Sequence, residues 1–373
     1  MSTPEKHPIV IDIGTYCIRT GFGGDSEPIH VFPTVVGKPP NTQFRQTSNS
    51  SQNIFIGESA YKNATQLVLS NPMENRIIKN LDDTQILLDF IFSSKYKVPT
   101  NKTPLVLSIS PFSTEKDREN LSTLIFETFR IPLFYPGLSS SLLLYASGLT
   151  TGIAIDAGET DINIVPVYES FSMMNLAKKL EIGGKTISES IRQNLIKPGS
   201  TLSLSSERST LHYIKEHFCY IRFDNENPEE NDTKKPEPKF FVTPDNQKYE
   251  LNDQVCKIPE MIFKPDFITV DSLGLSQLTL QTIETIDTDI KNTVQNNIVI
   301  SGGTSLIKGF HQKLEKDISE KIQSINVIAP PSRKIAPWVG GSMIASIGTF
   351  KDLALSKEEY EETGPSVVHF KCY

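Results

Sequence analysis

The chain has 373 residues, 38% of them hydrophobic and 22% charged, enough for an ordinary folded core and for about two or three domains. Its formal net charge of −7 argues against a protein that holds nucleic acid by neutralising phosphates. Neither a membrane span of roughly 20 apolar residues nor the apolar run of a secretory signal is expected, the opening being MSTPEKHPIV.

Residues 8–25, PIVIDIGTYCIRTGFGGD, read as a strand, a tight polar turn and a returning strand. The turn carries few side chains, so its backbone N–H groups can face an anion. Residues 31–39, VFPTVVGKP, read as one apolar strand ended by Gly and Pro. Residues 41–53 are almost all uncharged and polar, the composition of a mobile loop. A short strand is expected at 54–57 and an acid-capped amphipathic helix at 82–92. A buried strand follows at 104–109. The helix expected at 114–129 places Leu121, Leu124, Ile125 and Phe129 on one face. A more apolar helix, 138–146, ends at Gly148, and a strand begins at Gly152.

There the opening pattern returns. In IAIDAGETDIN, residues 153–163, Ile153, Ile155, Asp156, Gly158 and Ile162 match Ile9, Ile11, Asp12, Gly14 and Ile18 at a shift of 144 residues. Two like hairpins half a chain apart point to two like domains, able to grip one phosphate chain from both sides. Beyond the second hairpin, 182–195 holds a Gly-Gly turn and an amphipathic helix. A longer helix, 206–223, aligns Leu211, Ile214, Phe218 and Ile221. Residues 224–239 form a charged surface excursion of mixed sign, and 277–293 and 310–322 are helical. Residues 298–304, IVISGGT, run from a strand into a glycine turn, and the last apolar helix spans 338–350. Alternating strands and helices indicate α/β domains. The four cysteines, Cys17, Cys219, Cys256 and Cys372, form no CxxC and the six histidines no ligand spacing, so reduced thiols and a reducing intracellular compartment are expected.

Asp12 and Asp156 each end an apolar strand beside a glycine, where a carboxylate can hold the waters of a phosphate-bridging Mg²⁺. Either alone is more simply a turn cap, but the repeat at matching positions reverses that preference. Gly14, Thr15 and Gly158 then supply phosphate contacts. The turn Ser301-Gly302-Gly303-Thr304 suits phosphate or ribose oxygens, a weak signal by itself. Lys215 and Glu216 lie on the polar side of their helix, where a solvated face is the default. Walker, GxGxxG, HExxH and GxSxG motifs are absent.

Long ordered stretches resemble the actin family along almost the whole chain: IDIGTYCIRTGFGGD, FPTVVGKP, NPMENRIIKNLDD, FETFRIPLFYP, LYASGLTTGIAIDAGETDINIVPVYE, IKEHFCYI, IPEMIFKPDFI, IVISGGTSLIKG, IAPPSRKIAPWVGGSMIAS and GPSVVHFKCY. The resemblance implies an α/β, actin/Hsp70/hexokinase-type fold, two duplicated α/β domains around a nucleotide cleft, in four subdomains. Subdomain 1 would comprise residues 1–33, 72–146 and 336–373, subdomain 2 residues 34–71, subdomain 3 residues 147–182 and 271–335, and subdomain 4 residues 183–270. ATP or ADP with Mg²⁺ or Ca²⁺ would occupy the cleft. Asp12, Gly14, Thr15 and Arg19 match the family's first phosphate loop, and Asp156 and Gly158 the second, the two aspartates meeting the cation through water. Lys215 and Glu216 match adenine and ribose contacts, and Gly302, Gly303 and Lys334 close the base pocket.

Departures from the family pattern bear on mechanism. Ser139 stands where polymerising actins carry a glutamine that orients the attacking water, and Asn163 where they carry a histidine near the γ-phosphate. Serine is too short to place that water and asparagine does not titrate. Tyr16 replaces a glycine, and Ala157-Gly158-Glu159-Thr160 replaces Ser-Gly-Asp-Gly. Binding with weak hydrolysis is expected. The loop 41–53, the family's clasp on a neighbouring subunit, keeps only Phe44 as a large apolar residue, and Asn75 replaces the methylated histidine. A lower groove stays apolar: Tyr145, Gly148, Val339, Met343, Ile344, Ile347 and Thr349. The expectation is a divergent cytoskeletal actin of the cytoplasm that assembles with itself or actin and takes actin-binding proteins in that groove, without direct nucleic-acid or membrane contact. The alternatives are a non-polymerising subunit of a nuclear chromatin-remodelling or other complex, and a copolymerising actin-related subunit.

Overall fold

Two runs of branched apolar residues, Ile9–Ile13 and Gly152–Ala157, are wholly buried, and each lies inside a sheet of its own. The fold is that of a computed structural model describing residues 7–40, 54–195, 204–222, 239–242, 248–268, 272–323 and 325–371. The loop 41–53 with Phe44, the body of the 224–239 excursion and Cys372 lie outside the described residues. The chain divides into two compact units, one made of Met1–Thr151, Val167–Met174 and Ile335–Tyr373, the other of Gly152–Pro166 and Asn175–Lys334.

In the first unit, strand Ile9–Ile13 pairs antiparallel with Cys17–Phe22, as the hairpin pattern predicts, and parallel with Leu105–Ile109. Leu105–Ile109 pairs in turn, parallel, with Leu133–Leu138, a strand not anticipated from the sequence. The segment 31–39 is two strands rather than one. His30–Pro33 joins the main sheet and Val36–Lys38 a small outer sheet with Phe55–Ile56 and Val68–Ser70. Pro33 ends the first of these because it has no N–H for the ladder. Under the sheet, Ile9, Ile11, Leu105, Leu107, Phe126 and Phe134 share one core with Leu87, Ile91 and Ile125.

The 82–92 helix starts one residue earlier, Leu81–Asp89, and its cap is Asn80, whose side chain accepts the Asp83 N–H. Its acids sit in the first turn, where they face the helix dipole favourably. The 114–129 helix is α-helical over Glu115–Thr123 behind a Thr114–Asp117 capping box, then widens over Leu124–Thr128. Near the chain end, Gly340 lets helix Ala336–Ser346 lie against Ser139–Tyr145: a Cβ there would meet the Leu142 carbonyl oxygen at 1.9 Å. The indole of Trp338 donates to the Val10 carbonyl at 3.0 Å, tying this helix to the central strand.

The second unit repeats the plan. Strand Gly152–Ala157 neighbours Ile162–Tyr168 and runs parallel to Asn297–Ser301, which runs parallel to Asn326–Ile328. The duplication expected from the repeat is therefore present in the two sheets. Helix Leu204–His217 is shorter than the 206–223 expected, leaving Phe218 and Ile221 beyond its end. Ile221 donates its N–H to the Lys308 carbonyl instead. The 277–293 helix is two, Leu275–Glu284 and Thr288–Gln295, because the Asp287 side chain caps a fresh start. Cys17, Cys219 and Cys256 are buried and, among the described residues, in no disulfide, and burial together with neighbouring Cys256 pushes the Cys219 thiol up to about 12.

Candidate functional site

The matched hairpins end in matched turns. The Gly14 N–H donates to the Cys17 carbonyl at 3.1 Å, and the Gly158 N–H to the Asp161 carbonyl at 2.9 Å, the same bond at the same shift. The carbonyl of each glycine is fixed by a threonine hydroxyl, Thr34 to Gly14 at 2.6 Å and Thr304 to Gly158 at 2.7 Å. Sequence reasoning missed Thr34 and the role of Thr304, since neither is local to the glycine that it holds.

In the first unit, Asp12 is buried and its carboxylate accepts from Arg19 at 2.7 Å, its cross-strand partner. Thr15 offers a hydroxyl that is buried and has no hydrogen-bond partner. Its carbonyl accepts from Asn71 at 2.8 Å, and the Tyr16 carbonyl accepts the Thr34 N–H at 3.2 Å. The loop is thus held from outside while the Thr15 hydroxyl is left over. Ser139 is buried as the first residue of helix Ser139–Tyr145.

In the second unit, Asp156 is buried beside Ser301, whose hydroxyl donates to it at 2.8 Å. Asn163 stands at the position matching Arg19, is 3% exposed, and its side-chain oxygen has no partner. Lys179 pairs with buried Asp161 at 3.0 Å across the neighbouring strand. Gly302 takes φ +88, and a Cβ on it would lie 2.0 Å from the Ala157 carbonyl oxygen and 2.8 Å from the Asp156 carboxylate. Only glycine fits there. Gly303 opens onto empty space.

The expected solvated face fails for Lys215 and holds for Glu216, which is exposed. Lys215 turns inward, 7% exposed, donating to the Gly184 carbonyl at 2.9 Å and the Ser188 hydroxyl at 3.0 Å. Glu159 lies 3.6 Å from the same ammonium. Glu216 is met by Lys334 at 3.2 Å. The Gly302 N–H donates to the Arg333 carbonyl, which brings the glycine turn and Lys334 to one place. Lys215, Glu216, Gly302, Gly303 and Lys334, scattered over about 120 residues, therefore form one cluster with Glu159, Ser188 and Thr304.

The groove residues fall on one part of the first unit. Met343 (44% exposed) and Ile347 (40% exposed) stand out with Gly148 and Thr349, while Tyr145, Val339 and Ile344 are half-buried. Asn75 and Arg76 both take positive φ in a tight hairpin turn, at 47° and 65°. Among the described residues no three His, Cys, Asp or Glu side chains converge as a metal site, and no helix is long and apolar enough to cross a membrane.

The donor set fits a phosphorylated ligand and a hydrated cation. Each unit offers one buried carboxylate beside a glycine turn and a buried polar oxygen lacking a hydrogen-bond partner, that of Thr15 in the first and of Asn163 in the second. Mg²⁺ keeps most of its waters, so single carboxylates suit it without a dedicated cage. A search of family models matches the actin family over residues 3–373.

Proposed function

The chain belongs to the actin family, and on that premise we propose that it binds ATP or ADP with a divalent cation between the two half-sites and uses the nucleotide as a conformational ligand. The observation that carries this reading is the duplicated turn: Gly14 and Gly158 in the same bond, each anchored by a threonine, each beside a buried aspartate. When bound, the cation would neutralise phosphate charge through waters held by Asp12 and Asp156. Arg19 and the Thr15 hydroxyl serve the phosphates. Lys215 and Glu216, with Gly302, Gly303 and Lys334, enclose base and ribose. Hydrolysis is weak in this account, because Ser139 and Asn163 cannot orient and deprotonate a water as glutamine and histidine would.

The molecule works in the cytoskeleton by assembling with itself or with actin, and the surface of Met343 and Ile347 receives actin-binding proteins. Sedimentation of the purified protein with Mg²⁺-ATP, alone and mixed with actin, tests this. Pelleting in either case supports the assembly reading. A protein that holds nucleotide yet stays soluble in both would transfer the assignment to the second reading, a non-polymerising subunit of a nuclear or other complex. The Asp-Ile-Gly-Thr-Tyr opening, residues 12–16, favours that reading, resembling as it does some nuclear members of the family.

A further inference from the structure

One turn before Glu216, helix Leu204–His217 carries an imidazole on the same side. His212 Nε2 lies 3.2 Å from Glu216 Oε1. Lys334, arriving from the turn Arg333–Ile335, reaches that same oxygen at 3.2 Å. A single carboxylate oxygen thus takes two donors, one permanently charged at physiological pH and one that titrates. Glu216 is also one of the residues assigned above to the base and ribose. Resting on that nucleotide reading, we propose that His212 is a positioning residue of the nucleotide site, sharing Glu216 with Lys334 so that protonation of the imidazole tightens the binding of an anionic nucleotide.

The charges around the ring set the direction. Burial holds His212 below the ordinary value of 6.5; Glu216 opposes this, while Lys215, Lys334 and Arg208 reinforce it. At neutral pH the ring is therefore uncharged and the Glu216 charge is met by Lys334. Acidification places an imidazolium against Glu216. Lys334 is then released toward the ligand, and the pocket gains one positive charge, which favours a polyanion. Reciprocity follows: bound nucleotide must raise the proton affinity of His212 by the same factor by which protonation raises nucleotide affinity. A glutamine in place of His212 keeps a donor for Glu216 but no titration, and an arginine keeps the charge at every pH.

The test is calorimetric titration of the full chain with Mg²⁺-ADP between about pH 5 and about pH 8, comparing the natural protein with His212→Gln and His212→Arg. Using each variant with the same nucleotide cancels the ligand's own protonation. Affinity of the natural protein, divided by that of His212→Gln, should rise roughly fivefold on acidification, and His212→Arg should lie near the acid limit throughout. The imidazole C–H resonance of His212, followed by NMR, should titrate at a higher pH with nucleotide than without. Coincident profiles for the natural protein and His212→Gln, or an imidazole pKa indifferent to nucleotide, would overturn the inference while leaving nucleotide binding intact. Failure of all three proteins to bind at any pH would remove the nucleotide reading, and the inference with it.

Discussion

Gly302 shows how narrowly one residue is determined. Its φ of +88 and the 2.0 Å approach of the Ala157 carbonyl to a notional Cβ leave no room for a methyl group. Gly302→Ala should destabilise the second unit by about 3 kcal/mol and weaken nucleotide binding, as chemical denaturation and nucleotide titration would show. Arg19 is the cation paired with buried Asp12, both side chains being less than one-seventh exposed. Arg19→Met strands that carboxylate, and a loss of about 2–3 kcal/mol is expected in urea unfolding. Arg19→Lys should recover most of it. At Ser139 and Asn163 the prediction is a gain. The double replacement Ser139→Gln, Asn163→His should raise phosphate release about tenfold or more, and an unchanged rate would mean that these two positions do not limit hydrolysis.

The elements were largely legible because their signals are local. Short, nearly continuous apolar runs mark Ile9–Ile13 and Gly152–Ala157, and the acid-rich start of 114–129 marks its capping box. What was not legible depends on contacts across the chain. Leu133–Leu138 reads as a poor strand, carrying Pro136 and Gly137, yet it pairs along Leu105–Ile109. Lys215 looks solvated by helical position until the Gly184 carbonyl and Ser188 turn it inward. His212 gave no signal at all, since Lys334 lies more than 100 residues away. The capping box also makes a pH prediction. Burial pushes the Asp117 carboxyl up, but the Lys79 ammonium and the Thr114 hydroxyl and N–H outweigh it and hold the group below its ordinary 3.8. A carboxyl depressed in the folded state adds stability that is complete above its unfolded pKa and fades as pH falls through the folded one. Acid unfolding of Asp117→Asn should accordingly show a shallower slope below about pH 4 than the natural protein, together with lower stability at neutral pH from the lost cap. Equal slopes would contradict the assignment.

At the scale of the whole molecule, duplication is economical: one hairpin design, used twice, yields two aspartates and two glycine turns, one of each in each unit. The 144-residue repeat was visible in the sequence and reappears as the same turn hydrogen bond in both units. A ligand that binds only the folded chain stabilises it by mass action, about 2.7 kcal/mol at a hundred times its dissociation constant. Mg²⁺-ATP should therefore raise the thermal unfolding midpoint, and chelation of the cation should reverse most of that rise. In the proposed reading, Asp12 and Asp156 serve one and the same nucleotide. Equilibrium binding of Mg²⁺-ATP to the natural protein and to Asp12→Asn and Asp156→Asn, with circular dichroism to confirm folding, tests it most directly. One nucleotide per chain, weakened about tenfold or more by either substitution alone, is the predicted result. Binding that survives unchanged when one of the two aspartates is replaced, or a natural protein that binds no nucleotide, would contradict it.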